Sequence, residues 1–146
     1  MRRLSVAVAM SMVMLGIFWF VPASAQPTCT RTGDDRANDM HATSGADVLC
    51  ARGGNDRVAG RLGDDVLLGQ GGRDLLLGGA GGYDLRGGAM SDTLIGGPGR
   101  DSLSGGIGSD LLDGTCQGKD ILKGGPGRDV CYADPGDTVR SCERRV

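Results

Sequence analysis

Apolar residues recur along the chain at an interval of nine residues. In all repeats but one, an Asp stands two residues before the apolar residue, and a Gly stands two residues before the Asp slot in all but one. The eight apolar residues are Leu49, Val58, Leu67, Leu76, Leu85, Leu94, Leu103 and Leu112. A disordered Gly-rich chain has no reason to keep apolar residues in phase, so the pattern indicates an ordered repeat fold.

Each repeat predicts one tight turn followed by one short strand. Early glycines permit positive φ and close backbone approach, so the chain can turn with its carbonyls pointing inward before an Asp closes the turn. In the strand that follows, the middle residue faces the interior and its neighbours face outward. Two repeats close one coil. The predicted fold is therefore all-β, a right-handed parallel β-roll (β-solenoid) of nonapeptide repeats with two repeats per coil.

The Asp residues of the turns are the candidate metal ligands. Of the 18 acidic residues, 17 are Asp, which points to oxygen-liganded cations because Glu would serve solubility equally well. Calcium can sit between stacked turns and take oxygen ligands from both. The predicted ligands are Asp47, Asp56, Asp65, Asp74, Asp92, Asp101, Asp110, Asp120 and Asp129. Because stacked carboxylates repel one another, we expect a largely unfolded chain that folds at about 10⁻⁴ to 10⁻³ M calcium.

Successive turns alternate between two edges of the predicted roll. The first edge carries Asp56, Asp74, Asp92, Asp110 and Asp129, and the second carries Asp47, Asp65, position 83, Asp101 and Asp120. Tyr83 interrupts the second edge, and we expect Asp84 to reach in as a substitute with a distorted strand. Met90 replaces a permissive Gly and is expected to weaken one turn of the first edge.

Three stretches fit the pattern G-G-x-G-x-D-x-U-x, where U is apolar: residues 96–104, 105–113 and 124–132. This pattern resembles the RTX family, the hemolysin-type calcium-binding repeats, and the resemblance extends over roughly residues 45–132 with a degenerate copy near Asp137. Larger RTX proteins often carry a toxin, protease or lipase domain and a C-terminal export signal. This chain more closely resembles small secreted bacterial calcium-binding proteins.

The N-terminus, residues 1–25, has the features of a secretory signal peptide. Arg2 and Arg3 precede an apolar stretch, and the small residues Ala23 and Ala25 fit an A-x-A cleavage site. Cleavage predicts a secreted, extracellular protein with no membrane span. An uncleaved membrane anchor is the alternative, since the stretch is nearly long enough to span a bilayer.

The mature chain is predicted to form one small domain. We expect an irregular N-terminal leader or cap at 26–44, the calcium-binding β-roll at 45–132 and a C-terminal cap with a degenerate repeat at 133–146.

The chain has five cysteines, all after the signal, where an oxidising compartment lets disulfides persist. Five choices of the unpaired cysteine with three pairings each leave 15 arrangements open. A metal-thiolate site is disfavoured because there is no C-x-x-C pair. Since terminal coils of a solenoid need covering, we expect Cys29–Cys50 and Cys131–Cys142 to cap the two ends and Cys116 to remain free.

Composition argues against several other functions. His41 is the only histidine and no cleft-building domain is evident, so we do not expect an enzyme. The net charge of −2, or −4 without Arg2 and Arg3, argues against a nucleic-acid partner. A calcium-dependent ice-binding or adhesion module is the alternative function. Ice binding would favour a Thr/Asn ladder, whereas the outward turn residues are Asn55, Asp64, Arg73, Gly82, Ser91, Arg100 and Ser109.

A stripe of apolar residues is expected on the outer face of the strands that follow the first edge. Its members are Leu75, Leu77, Ile95, Leu111 and Val130. Contiguous apolar patches often mark association sites, so the stripe is a candidate surface for self-association or a protein partner. The alternative is that these residues simply suit strands.

Overall fold

The structure is a computed structural model that describes residues 27–146. The predicted signal peptide, residues 1–25, lies outside the described residues. Within residues 27–146 the chain forms strands, turns and loops without a helix, which confirms the predicted all-β fold. In that range there is accordingly no helix long and apolar enough to cross a membrane.

Fourteen strands follow one another along the described chain. They are β1 (Arg31–Thr32), β2 (Asp39–His41), β3 (Val48–Gly53), β4 (Arg57–Leu62), β5 (Val66–Gly71), β6 (Leu75–Ala80), β7 (Asp84–Ala89), β8 (Thr93–Ile95), β9 (Ser102–Ile107), β10 (Leu111–Gly114), β11 (Ile121–Lys123), β12 (Val130–Ala133), β13 (Thr138–Arg140) and β14 (Arg144–Arg145). From β3 to β12, each strand begins directly after the Asp slot of a turn, so the repeat sets the strand boundaries.

The strands stack into two parallel sheets. Odd-numbered strands form one sheet in the order β1-β3-β5-β7-β9-β11-β13, and even-numbered strands form the other in the order β2-β4-β6-β8-β10-β12-β14. We call them the odd sheet and the even sheet. Val48 pairs with Val66, and Val66 pairs with Asp84, so neighbouring strands of one sheet are one two-repeat coil apart. The parallel β-solenoid with two repeats per coil is confirmed.

The core is the row of inward-facing apolar residues predicted by the repeat. All eight residues of that row are at most 1% exposed. Met40, Leu122 and Cys131 continue the row beyond it toward the two ends of the solenoid. Each coil buries few large side chains, so the apolar core alone provides limited stabilisation.

The N-terminal segment departs from the expected irregular leader. Asn38 occupies an Asp slot and Met40 the following apolar slot, and β2 pairs in parallel with β4. The Asn38 backbone N–H donates to Asp56 Oδ1 at 2.7 Å, as the ladder Asp residues do. The expectation of an irregular 26–44 segment is therefore wrong for this part, because Asn and Met satisfy the same polar and apolar positions.

The single inserted residue after Asp110 is absorbed in the exposed loop at 115–119. The backbone N–H of Asp92 bonds to the carboxylate 18 residues later, whereas that of Asp101 bonds to Asp120, 19 residues later. Asp137 continues the ladder by accepting from the Asp120 N–H at 2.9 Å. The degenerate repeat near Asp137 is thus part of the stack.

The disulfides follow the predicted capping scheme. Cys29 pairs with Cys50 and Cys131 pairs with Cys142, with Cα–Cα distances of 5.9 and 6.0 Å. Cys116 is free and exposed in the insertion loop. Each disulfide ties a terminal segment to a coil near one end of the solenoid.

Candidate metal centre

The predicted ligands lie in two columns, one along each edge of the solenoid. The first edge precedes the even strands and contains Asp56, Asp74, Asp92, Asp110 and Asp129. The second edge precedes the odd strands and contains Asp47, Asp65, Tyr83, Asp101 and Asp120. The division into two edges agrees with the sequence analysis, because it follows from two repeats per coil.

One oxygen of each ladder carboxylate serves the fold itself. Oδ1 of Asp74 accepts the backbone N–H of Asp56 at 2.9 Å, and Oδ1 of Asp92 accepts the N–H of Asp74 at the same distance. Asp110 does the same for Asp92. These bonds connect consecutive coils, which explains why the repeat favours Asp at this slot. This second role of the Asp residues is not evident from the sequence alone.

The second oxygen of these carboxylates is buried and has no hydrogen-bond partner. This holds for Oδ2 of Asp56, Asp65, Asp74, Asp92, Asp101, Asp110, Asp120 and Asp129. Each of these residues is at most 3% exposed. A buried carboxylate oxygen without a partner is costly, so the row of Oδ2 atoms requires a compensating group.

In the Asp-containing turns from Asp65 to Asp129, the opening glycine leaves a space beside a carboxylate oxygen. A methyl group built on Gly87 would collide with Asp92 Oδ2 and would lie 2.6 Å from the Gly105 carbonyl oxygen. The equivalent methyl on Gly69 would meet Asp74 Oδ2 and, at 2.6 Å, the Gly87 carbonyl oxygen. A carboxylate oxygen of one turn and a carbonyl oxygen of the next therefore converge on a site that only Gly keeps open. We call this arrangement a cradle.

The donor set of a cradle fits calcium. Hard cations prefer oxygen ligands, and calcium readily combines carboxylate and backbone carbonyl oxygens in a flexible geometry. Among residues 27–146, no three His, Cys, Asp or Glu side chains converge as a metal-binding cluster. An ion in these turns must therefore take much of its coordination from backbone carbonyls, as the inward-facing glycine carbonyls allow.

Burial makes several of the ladder carboxylates resist ionisation. It raises the pKa of Asp92 to about 7 and the pKa values of Asp74 and Asp101 to about 6. The backbone N–H bond to each carboxylate opposes the rise, and neighbouring ladder carboxylates add to it. A cation in the cradle would reverse the balance, because it stabilises the charged form.

Asp47 differs from the other predicted ligands. Thr43 donates to its Oδ2 from the backbone N–H at 2.8 Å and from Oγ1 at 2.6 Å, and Thr30 Oγ1 donates to Oδ1 at 3.2 Å. The bonds from Thr43 lower the pKa of Asp47. Asp47 is placed at the end of the second edge with both carboxylate oxygens already satisfied.

The expected substitution of Asp84 for the missing ligand is wrong. Asp84 lies in β7 and pairs with Arg86, with 2.6 Å between Arg86 Nη2 and Asp84 Oδ2. The Tyr83 backbone N–H still donates to Asp101 Oδ1 at 2.9 Å, so the register continues regularly through the interrupted slot. Asp84 occupies an outward strand position, and regular register leaves it no route into the turn.

Met90 adopts the conformation that a glycine would favour at its slot. Its φ is 78°, in the left-handed region that side chains with a Cβ rarely enter. The turn forms, but it contains local backbone strain that Gly would avoid.

The parallel β-roll and the oxygen cradles in its turns place this chain in the class of calcium-binding repeat proteins. The family model described as RTX calcium-binding nonapeptide repeat matches the chain in four copies, at residues 32–67, 51–83, 86–115 and 117–139. These copies cover more than half of the chain, which belongs to this family and binds calcium through its repeats. Comparisons with curated proteins and with solved structures gave no significant match.

Proposed function

We propose that this chain is a secreted calcium-binding protein whose β-roll folds when calcium enters the turns. The observation that carries the proposal is the row of buried, unpartnered Oδ2 atoms, which at Asp74 and Asp92 lie beside glycine carbonyls. When bound, calcium supplies positive charge that neutralises these carboxylates and joins adjacent coils. The chain contributes the Oδ1 ladder, which fixes each carboxylate, and the glycines, which keep the cradles open.

The first edge offers the longest row of cradles. Asp74, Asp92, Asp110 and Asp129 each place Oδ2 against the glycine that opens their own turn. On the second edge, Asp101 and Asp120 do the same at Gly96 and Gly114. These six carboxylates are the proposed principal ligands.

Export is supported by the N-terminal sequence and by the disulfides. Two disulfides close the ends of the solenoid, and such bonds persist in oxidising compartments. Extracellular calcium also matches the predicted affinity range of about 10⁻⁴ to 10⁻³ M, whereas cytosolic calcium would be too low.

Isothermal titration calorimetry on the exported, disulfide-bonded protein tests the proposal. We expect several calcium ions to bind at about 10⁻⁴ to 10⁻³ M and magnesium to bind much more weakly, since magnesium demands a compact octahedral site. The intact mass of the same preparation checks cleavage after Ala25. Binding of neither cation would contradict the proposed function, and a retained N-terminus would support a membrane anchor instead.

The even sheet supports a second proposed function, self-association with another copy of this chain. The predicted stripe of Leu75, Leu77, Ile95, Leu111 and Val130 lies half-buried on its outer face. In the register of that sheet, Leu111 pairs with Val130 and Leu77 pairs with Ile95, so the apolar side chains of neighbouring strands, about 4.8 Å apart, are adjacent.

The odd sheet provides the contrast that favours association through the even sheet. Its outer positions nine residues after Leu75 and Leu77 are Asp84 and Arg86, which form an ion pair. The odd sheet also has Val66 and Leu68 at outward positions, but they pair with Asp84 and Arg86, whereas Leu75 and Leu77 pair with Thr93 and Ile95. The more continuous apolar face of the even sheet suits a two-fold pairing in which each stripe covers the other. An adhesive role would use the same face against a different partner.

Replacing Leu75 and Leu77 with Thr is expected to make the calcium-bound protein monomeric in sedimentation velocity. Calcium-induced folding should remain, because Thr suits strands and both positions face outward. The matched control replaces Asp84 and Arg86 with Thr at the equivalent positions of the odd sheet and should leave association intact. A wild-type protein that is monomeric at all concentrations would contradict self-association.

A further inference from the structure

Tyr83 places an aromatic ring where the repeat otherwise has a carboxylate. The side chain is 2% exposed and belongs to the apolar core. Its hydroxyl group is buried without a hydrogen-bond partner. A tyrosine held in this way fills space in the second edge. The position of its ring shows which cradles it occupies.

The ring lies in the cradle that opens at Gly60. A methyl group built on Gly60 would lie 2.5 Å from Tyr83 Cε1, 2.8 Å from the Gly78 carbonyl oxygen and 2.9 Å from Asp65 Oδ2. On the first edge, the equivalent methyl on Gly69 meets the carboxylate of Asp74 and a carbonyl oxygen. The tyrosine ring therefore enters a space that oxygens surround on the other edge.

The same ring also borders the next cradle along the second edge. A methyl group built on Gly78 would lie 2.8 Å from Tyr83 Cδ2 and 3.0 Å from Cγ, and it would collide with the Gly96 carbonyl oxygen. One side of the ring thus faces Gly78 and its Cε1 side faces Gly60. A single side chain spans two consecutive cradles.

We propose that Tyr83 is an aromatic plug that excludes calcium from the Gly60 and Gly78 cradles. The inference rests on the proposed calcium-binding function. Aromatic carbon cannot ligate calcium, and the ring leaves no room for an ion beside Asp65 Oδ2. Ions on the second edge are then confined to the turns of Asp101 and Asp120. In the coil around Tyr83, apolar packing of the ring takes the place of the ions.

The test compares Tyr83→Asp with Tyr83→Phe in calcium stoichiometry, measured by native mass spectrometry of the disulfide-bonded protein. Tyr83→Asp restores the repeat and is expected to bind one or two more ions than the wild type. Tyr83→Phe keeps the ring and removes only the unpartnered hydroxyl, so it should match the wild-type stoichiometry. A folded Tyr83→Asp protein with unchanged stoichiometry would overturn the plug.

If Tyr83→Asp does not fold, a crystal structure of the calcium-bound wild type tests the plug independently. We expect anomalous peaks for calcium beside Asp74, Asp92 and Asp101 and none beside Asp65. A peak within bonding distance of Asp65 Oδ2 would overturn the proposal. If the wild type binds no calcium at all, the proposed function fails, whereas binding everywhere including Asp65 rejects only the plug.

Discussion

Chelating calcium from the folded protein is expected to abolish most of its β-structure signal in far-UV circular dichroism. Without a cation, eight buried Oδ2 atoms lack a partner, and each coil offers few large apolar side chains in compensation. Burying eight unpartnered carboxylate oxygens, at about 1–3 kcal/mol each, has a cost comparable with the whole net stability of a small domain, about 5–15 kcal/mol. Folding and calcium binding should therefore be one process.

Returning calcium should restore the signal with a midpoint at about 10⁻⁴ to 10⁻³ M, and the same concentration of magnesium should not. The disulfides must stay intact, because they limit the unfolded chain independently of calcium. The matched control contains chelator and excess calcium together, so that it separates an effect of the chelator itself from the effect of removing calcium. A far-UV spectrum that does not change between chelator and calcium would contradict calcium-coupled folding.

Replacing Asp92 with Asn is expected to have opposite effects with and without calcium. Asn keeps an oxygen for the Asp74 N–H, which lies 2.9 Å from Asp92 Oδ1, but it removes the charge that would bind the cation. With calcium, the folding midpoint should move several-fold to higher calcium. Without calcium at pH 8, the variant should retain more β structure than the wild type, because it buries one charged carboxylate fewer.

The pH dependence of stability gives the sign of the effect of Asp92→Asn without calcium. Burial raises the pKa of Asp92 in the folded state to about 7, above the ordinary value of 3.8 that we take for the unfolded chain. The folded calcium-free protein therefore loses stability as pH rises from about 4 to about 7, and it recovers that stability on acidification. The advantage of Asp92→Asn without calcium should accordingly vanish as the pH falls toward 4.

Asp64→Asn is the matched control for this prediction. Asp64 is exposed, and its Oδ1 accepts the Gly82 N–H at 2.8 Å, a bond that Asn can also make. The control should leave both the calcium midpoint and the calcium-free signal close to those of the wild type. If Asp92→Asn lowered β content in calcium-free buffer at pH 8, the carboxylate would not be a destabilising buried charge.

The sequence alone determined the repeat architecture of this protein. The phase of Leu67 and Leu76 defines which strand residues face inward, because successive side chains point to opposite faces. The alternation of Asp65 and Asp74 between edges follows from the same period. The capping disulfides were predicted from the need to cover terminal coils, and the structure confirms them.

Tertiary structure alone decided what happens between neighbouring coils. That Tyr83 turns inward while Asp84 pairs outward with Arg86 depends on the space left by Gly60 and Gly78 in adjacent coils. Which carboxylate oxygen serves the fold and which remains for a cation likewise depends on an N–H that lies 18 residues earlier in the chain. A nine-residue pattern specifies the direction of each side chain, but contacts across coils are set by stacking, where each side chain competes with ions and backbone for the same space.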